Sequence, residues 1–343
     1  MNYLNLFPLR LSTTQDFELY NRCPYLWLKL RCEYWTKYSY NIHLEFGKEF
    51  ASALQTTRVA YYKDLLPARE AINLGLNQIL DTFAVTFQED NGNGLKTPAK
   101  MQEVFERYFV EFPLDYDIVP FILANGELSV EQSFDIELPF EHPELGIPLI
   151  ISAKPDIIGY DNRDIIHLKD EKTASQSGLT DVIKTTNKYR VQNQGIQYVT
   201  LINRNNLLGE GRKITQMGYR RIPITKTKLS DRSGAIPKNS VVVEEYSFTM
   251  DAWYQEEWWQ TTLLLVEEML IAYKKHTAGV PRAFNRRYGN CEKMFQPCEL
   301  TMNCSSGSAQ DLERNGYVQM YRDKDTGEER PMREKRIKLG LPV

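Results

Sequence analysis

The sequence predicts an α/β protein: a central mixed β-sheet flanked by helices, preceded by a mainly helical N-terminal region. Three observations carry that expectation. Phe17, Tyr20, Leu26, Trp27 and Leu30 open a helically spaced pattern that recurs through the first third of the chain. Residues 149–174 then read as two isoleucine-rich strands around the polar turn Asp161-Asn162-Arg163-Asp164. A helical run at 188–203, strand candidates at 213–225 and 240–248, and a long helix at 251–275 follow.

Each element has its own signal. In 13–38, Ser12, Thr13 and Thr14 offer N-caps and Pro24 interrupts the pattern, so two short helices, or one restarting at the proline, are expected. Further helices are expected over 43–65, 67–88 and 98–112, with Asn91-Gly92-Asn93-Gly94 as a break. Strand character begins at 128–140, where apolar and polar residues alternate. In 251–275, Trp253, Trp258, Trp259, Leu263, Leu264 and Met269 read as core packing. Residues 305–343 lose periodicity and end in a basic run with Arg330, Arg333, Lys335, Arg336 and Lys338, read as a solvated tail.

Composition narrows the function classes. A chain of 343 residues suits one large domain or two ordinary ones. Its net charge of −3 means that any nucleic-acid contact must use a local basic patch. No window approaches the ~20 apolar residues that span a bilayer, and the N-terminus lacks a secretory pattern. A cytoplasmic protein without membrane partners is expected, where structural disulfides are rare. No GxxxxGK[ST] phosphate loop occurs, which argues against a typical NTP-driven motor.

The 149–174 stretch also carries chemistry. A hairpin centred on Arg163 sets Asp156 opposite Asp170, since each lies seven residues from that centre. Opposed residues of an antiparallel pair share a face, with Cβ atoms about 5 Å apart. Two carboxylates so placed repel unless a cation sits between them. Lys172 returns to the same face by the period of two. Two acids and a lysine on one surface form an arrangement suited to metal-assisted hydrolysis.

The cysteines add a second candidate site. Cys291, Cys298 and Cys304 fall within NCEKMFQPCELTMNC, with spacers too long for CxxC knuckles. A fourth ligand must come from Cys23 or Cys32, near the N-terminus. With Cys23, four thiolates would suit a [4Fe–4S] cluster or structural zinc, leaving Cys32 as a buried thiol.

Pro155-Asp156, followed by Asp170-Glu171-Lys172-Thr173, resembles the PD-(D/E)xK nuclease signature in its RecB-like form. Gln194-Gly195-Ile196-Gln197-Tyr198 is similar to the QxxxY motif of that clade. Cys23-Pro24-Tyr25 and the proline before Cys298 resemble its iron–sulfur subgroup, which includes CRISPR-associated exonucleases and phage-encoded relatives. The resemblance covers roughly residues 13–304 and implies a restriction-endonuclease-like core.

By that resemblance, Asp156 and Asp170 hold Mg²⁺ or Mn²⁺, with the Glu171 backbone carbonyl as a further ligand. Lys172 orients or deprotonates the attacking water. Gln194 positions the lysine or the DNA, and Tyr198 supports that helix face. The alternating strand turns the Glu171 carboxylate to the opposite face. Cys23, Cys291, Cys298 and Cys304 hold the iron–sulfur cluster, with zinc as the alternative. The implied activity is a deoxyribonuclease, an exonuclease on single-stranded ends in recombination, repair or phage DNA processing. Its implied partners are DNA and a separate helicase or recombination protein, in the host cytoplasm if the chain is phage-encoded.

The family often has GxxxH in an early helix, with the histidine as a metal ligand. Ala51 stands there in Phe46-Gly47-Lys48-Glu49-Phe50-Ala51, leaving a water, Glu49 or Glu131 to substitute. His43, eight residues away, reads as an ordinary polar histidine. The departure keeps open a second class, a DNA-binding module that retains the fold without cleavage. The expected organisation is a helical region at 1–127, a nuclease core at 128–275, a cysteine segment at 276–304 and a tail at 305–343.

Overall fold

Proline and special backbone angles set many of the boundaries in this fold. The structure is a computed structural model that describes residues 6–37, 42–83, 96–123, 125–175, 189, 192–224, 244–291, 298, 300, 304, 309–322, 329–331 and 338. The Asn91–Gly94 break, the 225–243 connection and Arg333, Lys335 and Arg336 of the basic run lie outside them, as does the His43 side chain.

Strand β1 (Arg10–Leu11) is followed by a wide helical turn at Thr13–Phe17 and helix α1 (Glu18–Arg22). Cys23 is extended, and helix α2 (Pro24–Trp27) restarts with proline in its first turn. That position tolerates proline because its N–H would have no intrahelical partner. Strand β2 (Trp35–Lys37), helices α3 (Ile42–Arg58), α4 (Ala68–Gln78) and α5 (Pro98–Glu111), and strand β3 (Val119–Pro120) come next. Thr97 caps α5 by accepting the Lys100 N–H at 3.1 Å.

Strands β4 (Phe134–Glu141), β5 (Pro148–Ala153), β6 (Ile157–Tyr160) and β7 (Ile166–Ser175) precede helix α6 (Asn193–Arg204). Strands β8 (Gln216–Ile224) and β9 (Glu244–Thr249), helix α7 (Ala252–Thr277), helix α8 (Ala309–Arg314) and strands β10 (Tyr317–Arg322) and β11 (Glu329–Pro331) complete the order. The chain is thus α/β, with sheets flanked by helices and a mainly helical N-terminal region.

The chain divides into two compact units. One comprises Met1–Tyr40, Asp135–Ser152 and Glu257–Val343. It holds the sheet β1-β5-β4, in which β1 runs parallel to β5, and the antiparallel sheet β11-β10-β2. Its fully buried Asp16 accepts the Trp27 indole N–H at 3.0 Å, the Arg31 Nε–H at 2.9 Å and the Ser12 N–H at 2.9 Å.

The other unit comprises Asn41–Phe134 and Ala153–Glu256. Its five-stranded sheet has the order β3-β6-β7-β8-β9 and is antiparallel except for the parallel β7–β8 pair. A parallel pair needs a crossover, and α6 lies in it. Ile222 and Ile224 of β8 pack into a core with Phe46, Phe50, Phe105 and Tyr108 of α3 and α5. Met217 and Tyr219 alternate to the other face and meet α6 at Gly195. A Cβ on Gly195 would come within 2.5 Å of the Tyr219 hydroxyl, so glycine allows this close approach.

Several expectations are corrected. Residues 149–160 are not one strand, because β5 and β6 lie in different sheets. Pro155 between them lacks the N–H a ladder needs. The strand expected over 128–140 begins only at Phe134, after Glu131 adopts a left-handed conformation at φ 55°. On α7, Trp259 is buried but Trp253 is 66% and Leu264 68% exposed, because one helix cannot turn every side to a core.

Candidate active site

The hairpin register pairs Ile157 with Lys169, Ile158 with Leu168, Gly159 with His167 and Tyr160 with Ile166. One further step along the same register brings Asp156 opposite Asp170. Asp156 Oδ2 accepts the backbone N–H of Glu171, which ties the end of the hairpin together.

The β7–β8 and β8–β9 registers extend this pair into rows. Asp170, Tyr219 and Tyr246 form one row, and Lys172, Arg221 and Glu244 form the next on the same face. Lys172 Nζ lies 2.7 Å from Asp170 Oδ2 as an ion pair. Asp170 is fully buried, and neither of its oxygens receives a well-aligned hydrogen bond among the described residues. Such a carboxylate normally has partners, and its open lone pairs suit a cation. Burial, and then the Asp170 charge, push the Asp156 carboxyl well above its ordinary range, with Lys172 opposing them. Burial pulls the Lys172 ammonium down, but Asp170 and then Asp156 outweigh it and hold its pKa above the ordinary value.

Helix α6 supplies the cover. Gln194 Nε2 donates to the Tyr198 hydroxyl oxygen at 2.7 Å, one turn along the helix. Burial pushes the Tyr198 phenol up to about 12, and the charges of Asp170, Lys172 and Asp156 also bear on it. Helix α6 lies on the Asp170–Tyr219 side of the sheet, where Gly195 approaches Met217 and Tyr219.

Asp156 and Asp170 fit a divalent ion of the Mg²⁺ or Mn²⁺ kind, which takes one or two carboxylates and completes its shell with waters and substrate phosphate. Among the described residues no three His, Cys, Asp or Glu side chains converge on a metal position as they stand. Two carboxylates suffice for such a shell. Of the substitutes for the missing histidine, Glu131 bears on the site. Its N–H donates to the Asp156 carbonyl at 3.0 Å, and its charge adds to the upward push on the Asp156 carboxyl. Its own carboxylate pairs with Lys154 Nζ at 2.6 Å.

On the opposite face, the Glu171 carboxylate is buried against Arg58, as strand alternation requires. Arg58 Nη1 and Nη2 lie 2.9 Å and 2.6 Å from its two oxygens. The Tyr108 hydroxyl donates to the same carboxylate. Arg220 donates to the Tyr108 oxygen at 2.8 Å, to Asp117 Oδ2 at 2.6 Å and to Glu245 Oε2 at 2.9 Å.

Cys23, Cys291, Cys298 and Cys304 line one cavity in the other unit. Cys32 is buried elsewhere, and burial raises its thiol pKa well above the ordinary value. The Cys298 N–H donates to the Cys291 carbonyl at 2.9 Å. Burial likewise pushes the Cys298 and Cys304 thiols up. Four sulfur donors are a set that zinc or an iron–sulfur cluster uses. As they stand, no three of these thiols converge on a metal position among the described residues.

No family model matches the chain, and neither does any curated protein. Among solved structures, the chain is similar to a candidate exonuclease from Eubacterium rectale. The identity is 11% over 87% of this chain and 93% of that one, with a TM-score of 0.42. It is also similar to LHK-Exo in complex with dAMP, at 15% identity over 68% of this chain and 97% of that one, with a TM-score of 0.25. The third likeness is to SSO0001, at 12% identity over 64% and 73%, with a TM-score of 0.26. All three are distant.

Sequence reasoning did not single out Arg58, Tyr108, Arg220, Arg221 or Tyr219. Once β7 and β8 are paired in register, the last three fall beside Glu171, Lys172 and Asp170. Arg58 lies 113 residues before Glu171, and no local pattern links them. Among the described residues no helix is long and apolar enough to cross a membrane.

Proposed function

We propose that this chain is a metal-dependent deoxyribonuclease of the PD-(D/E)xK type, acting as an exonuclease on single-stranded DNA ends. The observation that carries the reading is the buried Asp170, facing a second acid, paired with Lys172 and without a further hydrogen-bond donor among the described residues. Lys172 offsets only part of that repulsion, and a divalent ion between the two acids would relieve the rest.

When bound, Mg²⁺ or Mn²⁺ supplies an acidic water and a Lewis acid for the scissile phosphate. Asp156 and Asp170 would hold it, with the Glu171 carbonyl as a further donor. Lys172 orients the attacking water and neutralises charge that develops on the phosphate. Arg221, beside Lys172 on the next strand, adds a second cation to that face. Gln194 and Tyr198 position the strand and exclude water. DNA is then the partner, with a helicase or recombination protein supplying unwound ends.

End-labelled single- and double-stranded DNA, incubated with Mg²⁺ and with Mn²⁺, tests the reading. Stepwise loss from single-stranded ends, reduced about a thousandfold by Lys172→Ala, is expected. Binding without turnover in either metal would instead establish a DNA-binding module.

The four-cysteine site carries two readings. Resemblance favours a [4Fe–4S] cluster, and four thiolates equally suit structural zinc. Anaerobically purified protein should be brown and contain iron and sulfide in the first case. Colourless protein with one zinc per chain would establish the second.

A further inference from the structure

Helix α3 carries Ala51, which cannot ligate a metal, yet its last residue reaches under the same strand from the back. Arg58 is 2% exposed and forks onto both oxygens of Glu171, which lies between Asp170 and Lys172 in β7. The backbone N–H of that Glu171 donates to Asp156 Oδ2 on the front. One peptide is therefore gripped from both faces of the sheet.

The grip is unusually determined for a buried charge. Arg58, Arg220 and Lys169 face Glu171, Asp117 and Glu245, so three cations balance three anions, with the Tyr108 hydroxyl bridging the middle. An arginine fork on a carboxylate fixes both distance and plane, which a lysine ammonium cannot do. The β7 backbone at Glu171 is thereby held in one position, and the spacing of Asp156 to Asp170 follows from it.

We propose that Arg58 is a positioning residue for the metal-holding acid pair, acting through Glu171, so that α3 serves the site from behind in place of an absent histidine ligand. The inference rests on the nuclease reading of the Asp156–Asp170 site. Groups that orient a ligand from outside the first layer commonly change metal affinity by about tenfold or more when replaced.

The test is calorimetric titration of Mn²⁺ into the metal-free full chain, without DNA, well below the thermal midpoint. Arg58→Lys keeps the charge and loses the fork, and should weaken Mn²⁺ binding about tenfold. Tyr108→Phe removes only the bridging hydroxyl and should weaken it in the same direction by less than Arg58→Lys does. A clamp that only holds the fold together would lower the thermal midpoint and leave Mn²⁺ affinity unchanged. Wild-type affinity in folded Arg58→Lys therefore overturns the inference while leaving the nuclease reading intact. If Arg58→Lys does not fold, Tyr108→Phe decides alone, with unchanged affinity overturning the proposal. A wild-type chain that binds no Mn²⁺ refutes the metal-site reading itself, a distinguishable result.

Discussion

Replacing Asp156 with asparagine should make the metal-free protein more stable. One step past the Ile157–Lys169 pair the register sets Asp156 opposite Asp170, and facing residues of an antiparallel pair have Cβ atoms about 5 Å apart. Two like charges at ~5 Å, with an effective dielectric constant of ~20, repel by about 3 kcal/mol. Attraction to Lys172 returns part of this, though less than Asp170 costs. Asparagine removes the charge while its side-chain oxygen can still accept the Glu171 N–H. The net gain is about 1–2 kcal/mol, or roughly 1–3 °C in thermal midpoint for a chain of this size.

Mn²⁺ should reverse the order. A ligand at a hundred times its Kd stabilises by about 2.7 kcal/mol, and only the wild type keeps both acids. Differential scanning calorimetry with and without Mn²⁺ measures both arms. Metal-free Asp156→Asn melting below the wild type, or gaining as much from Mn²⁺, would refute the repulsion argument.

Three other outcomes follow from the same contacts. Arg220→Met strands Asp117 and leaves Glu245 to Lys169 alone, and should cost about 3–5 kcal/mol by denaturant titration. Asp16→Asn leaves buried Trp27 and Arg31 donors short of a charged acceptor and should cost about 2–4 kcal/mol on the same measurement. Burial pushes Asp117 and Glu245 up, but Arg220, joined at Glu245 by Lys169, outweighs it and holds both below their ordinary values. A depressed folded pKa gives stability that is full above the unfolded value of about 4 and is lost as pH falls below it. Thermal midpoints from about pH 6 down to 2 should therefore fall less steeply in Arg220→Met than in the wild type, and equal slopes would contradict this assignment.

Much of the candidate site was legible because it is local. The turn at Asp161–Asp164 centres the hairpin, and the period of two then assigns Asp170 and Lys172 to one face and Glu171 to the other. Gln194 and Tyr198 meet because residues four apart on a helix are neighbours. Less was legible where two signals compete. The apolar run from Leu149 to Ile158 reads as one strand, but Pro155 divides it between two sheets. The tryptophans of α7 suggest a core on hydrophobicity alone, yet Trp253 faces solvent.

Alternation, turn chemistry and helical spacing determined the α/β class and the Asp156–Asp170–Lys172 face, since these depend on a turn and on neighbours a few residues apart. Tertiary structure alone decided that Arg58 meets Glu171 and that Arg221 stands beside Lys172. Such contacts join residues tens to hundreds of positions apart. No local periodicity encodes them, and they form only when whole elements pack.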